Sequence, residues 1–91
     1  MLDFTKPLVG LDGSTIKDET GKEVSLGKLL SGQLAGSNKG DALKLFTWAQ
    51  KLYNDQPLDL DPSDRATLKD FITANETLTV LAKAQLLSVF N

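Results

Sequence analysis

The spacing of apolar positions along this 91-residue chain changes near residue 25, and the change separates two kinds of predicted structure. Before it, apolar residues come singly or in pairs between turn formers. Phe4-Thr5-Lys6-Pro7-Leu8-Val9 is β-prone, but Pro7 has no amide to give to a ladder and suits an edge or a strand start. Asp12-Gly13 is a turn dipeptide, because glycine takes positive φ at no steric cost. Ser14-Thr15-Ile16-Lys17 reads as a short strand, Glu19-Thr20-Gly21-Lys22 as a second polar turn and Glu23-Val24-Ser25 as a return strand. The pattern predicts one or two small hairpins. A two-stranded hairpin is marginal in water, so it must pack on the remainder of the chain.

From Ser25 onward the period is helical. Ser25 suits an N-cap, and Leu26, Leu29, Leu30 and Leu34 share one face of a short helix that Gly27 and Gly32 weaken. Residues 36–40, Gly-Ser-Asn-Lys-Gly, form a polar loop. Asp41 to Asn54 carries Ala42, Leu45, Phe46, Ala49, Leu52 and Tyr53 at helical spacing, and these are the expected inward positions. Gln56-Pro57 breaks the pattern, and Pro57 to Leu60 reads as an extended connector with Leu58 and Leu60 facing inward. Asp61-Pro62-Ser63-Asp64 is a strong helix start: a capping carboxylate, a proline where no amide is needed, and a charge that complements the dipole. That helix carries Leu68, Phe71 and Ile72 inward and ends near Asn75. A last helix spans Thr77 to Phe90 and is apolar around most of its circumference, interrupted by Thr79, Lys83, Gln85 and Ser88.

These elements predict a mainly α fold with a minor β component: a small N-terminal β-hairpin packed on a compact bundle of three to four helices. Residues 1–91 form one domain, with 1–25 as hairpin region and 26–91 as helical region, in keeping with usual domain sizes. No internal repeat or low-complexity tract stands out.

Composition narrows the chemistry. The chain has neither Cys nor His, which removes disulfides, thiolate and imidazole metal sites, cysteine nucleophiles and the commonest general base near neutral pH. Lys plus Arg number 10 against 12 Asp plus Glu, a net charge of -2. Nucleic-acid binding is therefore disfavoured, since counterion release needs a surplus of cations. The acidity is local: residues 55–76 hold six carboxylates against Arg65 and Lys69. No apolar run approaches the ~20 residues of a membrane span, and Met1-Leu2-Asp3-Phe4 lacks the basic-then-apolar order of a signal peptide. A cytoplasmic protein without membrane attachment is expected.

Three motifs test for a site. Residues 59–70 place oxygen ligands at the first, third, fifth and twelfth positions of a calcium loop, but Asp64 stands where a glycine is needed and Asp70 where a bidentate Glu is needed. A capped helix start accounts for the same residues. Residues 36–40 precede a helix as a phosphate loop would, yet lack the Gly-Lys-Ser/Thr ending. Asn75-Glu76-Thr77 matches a glycosylation acceptor, without consequence in a chain read as cytoplasmic. No catalytic residue, cofactor or metal site is expected, and an enzyme is not the expected function.

Candidate interface residues are the sole Trp, Trp48, which lies off the main stripe of its helix, and Leu87 and Phe90 on the apolar last helix; each is either an exposed anchor or, if its helix is packed on two sides, a core residue. A local lysine face of Lys39, Lys44 and Lys51 offers the alternative, a small nucleic-acid-associated protein.

The succession Leu11-Asp12-Gly13, Gly21-Lys22-Glu23-Val24-Ser25-Leu26-Gly27, Lys51-Leu52-Tyr53-Asn54, Asp64-x-x-x-Leu68-Lys69 and Lys83-Ala84-Gln85-Leu86-Leu87 resembles a group of small uncharacterised proteins of bacteriophages and prophages. The resemblance implies a phage or prophage origin, location in the host cell cytoplasm, and a compact domain without a known reaction. With the residue pattern, it leads to the expectation of a non-enzymatic protein–protein interaction or assembly accessory module, with a protein partner or self-association.

Overall fold

The structure, a computed structural model, describes residues 2–37 and 40–90. It contains four helices: α1 (Leu26–Ala35), α2 (Ala42–Tyr53), α3 (Pro62–Ala74) and α4 (Val80–Ser88). Each begins where a side chain can take a free amide of the first turn. Ser25 accepts from the Lys28 amide, Asp41 from Lys44, Asp61 from Asp64 and Thr79 from Ala82. α2 ends in a Schellman motif: Asp55 is left-handed (φ 57°), its amide donates to the Leu52 carbonyl, and the Gln56 amide reaches back to Lys51. Pro57 then prevents continuation.

One hydrophobic cluster runs from Leu2 to Leu86 and draws on every helix, with Leu30, Leu68, Ile72 and Leu86 fully enclosed. α1 and α2 form the most extensive helix pair. The start of α1 lies against the end of α2, where a Cβ on Gly27 would stand 3.1 Å from the Leu52 carbonyl oxygen and 3.2 Å from that of Phe4. The N-terminal segment is stitched to the connector before α3 by a two-bond pairing of Leu2 and Leu58. Leu58 is buried and Leu60 packs against the core, as the extended connector requires.

The N-terminal region differs from the expected hairpin. Among the described residues there is no strand, only isolated antiparallel bridges: Leu2–Leu58, Pro7–Ser25, Val9–Thr15 and Lys17–Glu23. Ladders do not extend because the segment changes partner at every turn. The Ile16 amide donates to Leu8, Val24 to Ile16 and Leu8 to Val24, at 2.9, 3.1 and 2.7 Å, closing a ring of three backbone hydrogen bonds. Each eight-residue excursion between ring members repeats the same bonds. Gly10 donates to Ser14 and accepts from Gly13; Asp18 donates to Lys22 and accepts from Gly21. Gly13 and Gly21 hold φ of 83° and 84° at equivalent points, a conformation only glycine adopts freely. An eight-residue structural repeat is therefore present that the sequence pattern did not disclose.

Two helix details also depart from expectation. α4 starts at Val80 rather than Thr77, because the Asn75 side chain captures the amides of Thr77 and Leu78 and holds them outside the helix. On α2 the buried residues are Leu45, Trp48, Ala49 and Leu52, whereas Phe46 and Tyr53, expected inward, are exposed.

Candidate interaction surface

α2 is a two-sided element. Successive residues turn by about 100° around a helix, so the buried set is centred on Leu52 and Leu45 and the opposite side is centred near Gln50. That outer side carries Leu43, Phe46 and Tyr53 with relative exposures of 81%, 56% and 64%. Their positions, with Gln50 between them, follow i, i+3, i+7 and i+10. This is the seam spacing of a helix that packs against another helix. Among the described residues the other large exposed apolar side chains, Leu11 and Val80, lie on a turn and at the start of α4.

Charged groups border the outer side unevenly. Lys28 of α1 places its Nζ 5.7 Å from the centre of the Tyr53 ring, within the range of a cation–π contact. Lys44 Nζ lies 6.0 Å from the Trp48 ring centre and 2.9 Å from Asp64 Oδ1. The hydrogen bond to Asp64 and its charge raise the Lys44 pKa above the ordinary lysine value. Thr47, Gln50 and Asn54, along the seam, are uncharged and exposed.

The three interface residues expected from sequence have other places. Trp48 is only 6% exposed and belongs to the core, because it lies on the side of α2 that faces the enclosed cluster. Leu87 and Phe90 are partly buried and pack against the same cluster. Phe90 meets Phe4 edge to face, with centroids 6.1 Å apart. The accessible apolar area lies instead on Leu43, Phe46 and Tyr53. A signal for this was present in the heptad-like spacing of those residues, but a template wide enough to include Phe46 and Tyr53 among inward positions obscured it.

The remaining motifs resolve as structure. In residues 59–70, α3 already begins at Pro62, so the chain is helical where a calcium loop would wrap its ion. Asp61 caps that helix and Asp64 pairs with Lys44. Among the described residues, no group of three or more Asp or Glu side chains is placed to hold a metal ion. Of the loop at 36–40, Asn38 and Lys39 lie outside the described residues, as does the Lys39 end of the proposed lysine face; Lys44 is engaged with Asp64. A shallow cavity of about 560 Å3, lined by Phe71 and Ala74 as well as by Gln33, Asn75 and Thr77, lies beside this loop. Along its wall Gln33 Oε1 accepts from Asn75 Nδ2 and from the Thr77 hydroxyl. The same bonds engage the side chains of the Asn75–Thr77 sequon. A second depression, of about 330 Å3, is lined by Thr5, Glu23, Lys28 and Asp55 among others.

No helix is long and apolar enough to cross a membrane among the described residues. In comparisons with protein-family models, with curated proteins and with solved structures, the chain has no significant match. What the fold and surface define is a small, mainly helical domain that presents one helix with an apolar seam on its outer side.

Proposed function

We propose that this chain is a non-enzymatic protein–protein interaction module whose docking element is the outer face of α2. The observation that carries the reading is the exposure of Leu43, Phe46 and Tyr53 at seam spacing on a helix whose other side is anchored in the core. Together they expose on the order of 400 Å2, a large contiguous share of apolar surface for so small a protein. A rigid helix presents such residues with little ordering cost on binding. The resemblance to small phage and prophage proteins gives the module an accessory role, in assembly or in contact with host components.

The test is a photo-cross-linking residue placed at Phe46, with Ala66 on the exposed side of α3 as control, in cells that express the whole chain. The reading expects adducts at position 46 and none above background at 66. Equal yields at the two positions would remove it.

A further inference from the structure

Resting on the reading of α2 as the docking element, we propose that its occupant is a second copy of this chain, with the two α2 helices antiparallel about a two-fold axis level with residue 48. An isologous interface requires a surface complementary to itself. In this register Leu43 of one copy lies opposite Tyr53 of the other, and Phe46 opposite Gln50. The antiparallel arrangement sets large against smaller side chains along the whole seam and aligns the helix dipoles favourably.

Charge supports the same pairing. At the Leu43 end of the seam Lys44 is already neutralised by Asp64. The Tyr53 end carries Lys28 against the ring and Lys51 in the last turn, with Asp55 as the one carboxylate on α2's exit. Antiparallel pairing thus sets Lys28 and Lys51 of one copy against an end whose Lys44 is already paired, and keeps the two cationic ends apart. Between them Gln50 in the seam and the flanking Thr47 and Asn54 are uncharged, so no like charges repeat across the axis.

The available area fixes the strength. Two copies bring together roughly 800 Å2 from the three apolar side chains, and the polar flanks extend this to about 1,000–1,200 Å2, the lower edge of specific interfaces. The expected product is a reversible, concentration-dependent dimer.

Sedimentation equilibrium of the purified whole chain, from about 1 µM to 1 mM, covers the affinities such an interface supports. The mass should rise from 9.9 kDa toward twice that value. Phe46→Glu, checked for unchanged helicity by circular dichroism, should hold the mass at the monomer value, whereas Leu11→Glu should leave the rise unchanged. Because the chain has no cysteine, orientation can be read from single substitutions: a mixture of L43C and Y53C chains should form the mixed disulfide faster than either self-disulfide. A monomer at every concentration, or faster self-disulfides, overturns the proposal. A monomeric protein that still cross-links from position 46 to another protein in cells overturns only the second copy and leaves the docking face standing.

Discussion

The side-chain amide of Gln85 and the backbone of Val9 exchange two hydrogen bonds. The Val9 amide donates to Oε1 at 2.9 Å, and Nε2 donates to the Val9 carbonyl at 2.6 Å. Val9 bridges Thr15 on its other side, so its own peptide groups point away from that partner and need another. One residue of α4 supplies what a neighbouring strand would have supplied, and ties the last helix to the first segment of the chain.

Gln85→Ala should therefore destabilise the protein by about 1–3 kcal/mol, because a partly buried donor and acceptor lose their partner together. Gln85→Glu keeps an acceptor for the amide but turns a carboxylate toward the Val9 carbonyl, and should not restore the loss. Urea denaturation midpoints of the three proteins measure both effects.

Two glycines of the same helix should respond in opposite directions to alanine. A Cβ at Gly27 meets two backbone carbonyls at 3.1 and 3.2 Å, neither the end of a flexible side chain, while one at Gly32 meets nothing within 4 Å. Gly32→Ala should stabilise by about 0.5–1 kcal/mol through helix propensity and a less free unfolded chain. Gly27→Ala should destabilise by about 1–3 kcal/mol, since the start of α1 must back away from both Phe4 and α2. Thermal unfolding of the pair distinguishes close approach from simple flexibility as the reason for a glycine.

Phe90 contributes to the folded chain itself through its contact with Phe4. Phe90→Ala should lower stability by about 1–2 kcal/mol, from lost burial and the lost edge-to-face pair, and leave association through α2 unchanged. If Phe90→Ala left stability unaltered and abolished association, the C-terminal end and not α2 would be the docking element. Denaturation curves and sedimentation on the same sample settle the two quantities.

Acid should loosen the N-terminal turns first. Asp3, Asp12 and Asp18 accept hydrogen bonds from the hydroxyls of Thr5, Ser14 and Thr20, with further bonds from the amides of those residues and of Lys22. Those bonds hold their carboxyls below the ordinary aspartate pKa. With the folded value depressed, the contribution is complete above the unfolded value of about 3.9 and is lost as pH falls through the folded value. The protection of the Ser14 and Thr20 amides, each rate being divided by the intrinsic rate at the same pH between about pH 5 and pH 2, should fall ahead of protection in α3. Asp18→Asn, which keeps an acceptor oxygen and takes up no proton, should flatten the change at Thr20.

The caps at Ser25 and Asp61 were legible in the sequence because capping depends on neighbours within three residues. The start of α4 was not, since Asn75 competes for the amides of Thr77 and Leu78 with a side chain that resembles an ordinary loop residue. Burial on α2 was legible only in part. Helical spacing marked Leu45, Ala49 and Leu52, but the width of the buried side depends on which elements pack there. The spacing placed Phe46 on the inward stripe and Trp48 off it, and the packing reverses the two. Gln85 carried no signal at all: a polar residue interrupting an apolar helix predicts solvent, and its partner lies 76 positions away.

The ring formed by Leu8, Ile16 and Val24 separates the anchored part of the N-terminal region from the two excursions that leave it. Gly10 bonded to Ser14 and Asp18 bonded to Lys22 act as clasps at the base of each excursion. Beyond the clasps, residues 11–13 and 19–21 are wholly exposed and contribute nothing to the enclosed cluster. Lengthening an exposed loop costs only about 0.6 kcal/mol per doubling. The chain therefore carries two adjacent sites at which a foreign peptide could be displayed, both facing outward and both remote in sequence from the helix that is proposed to bind.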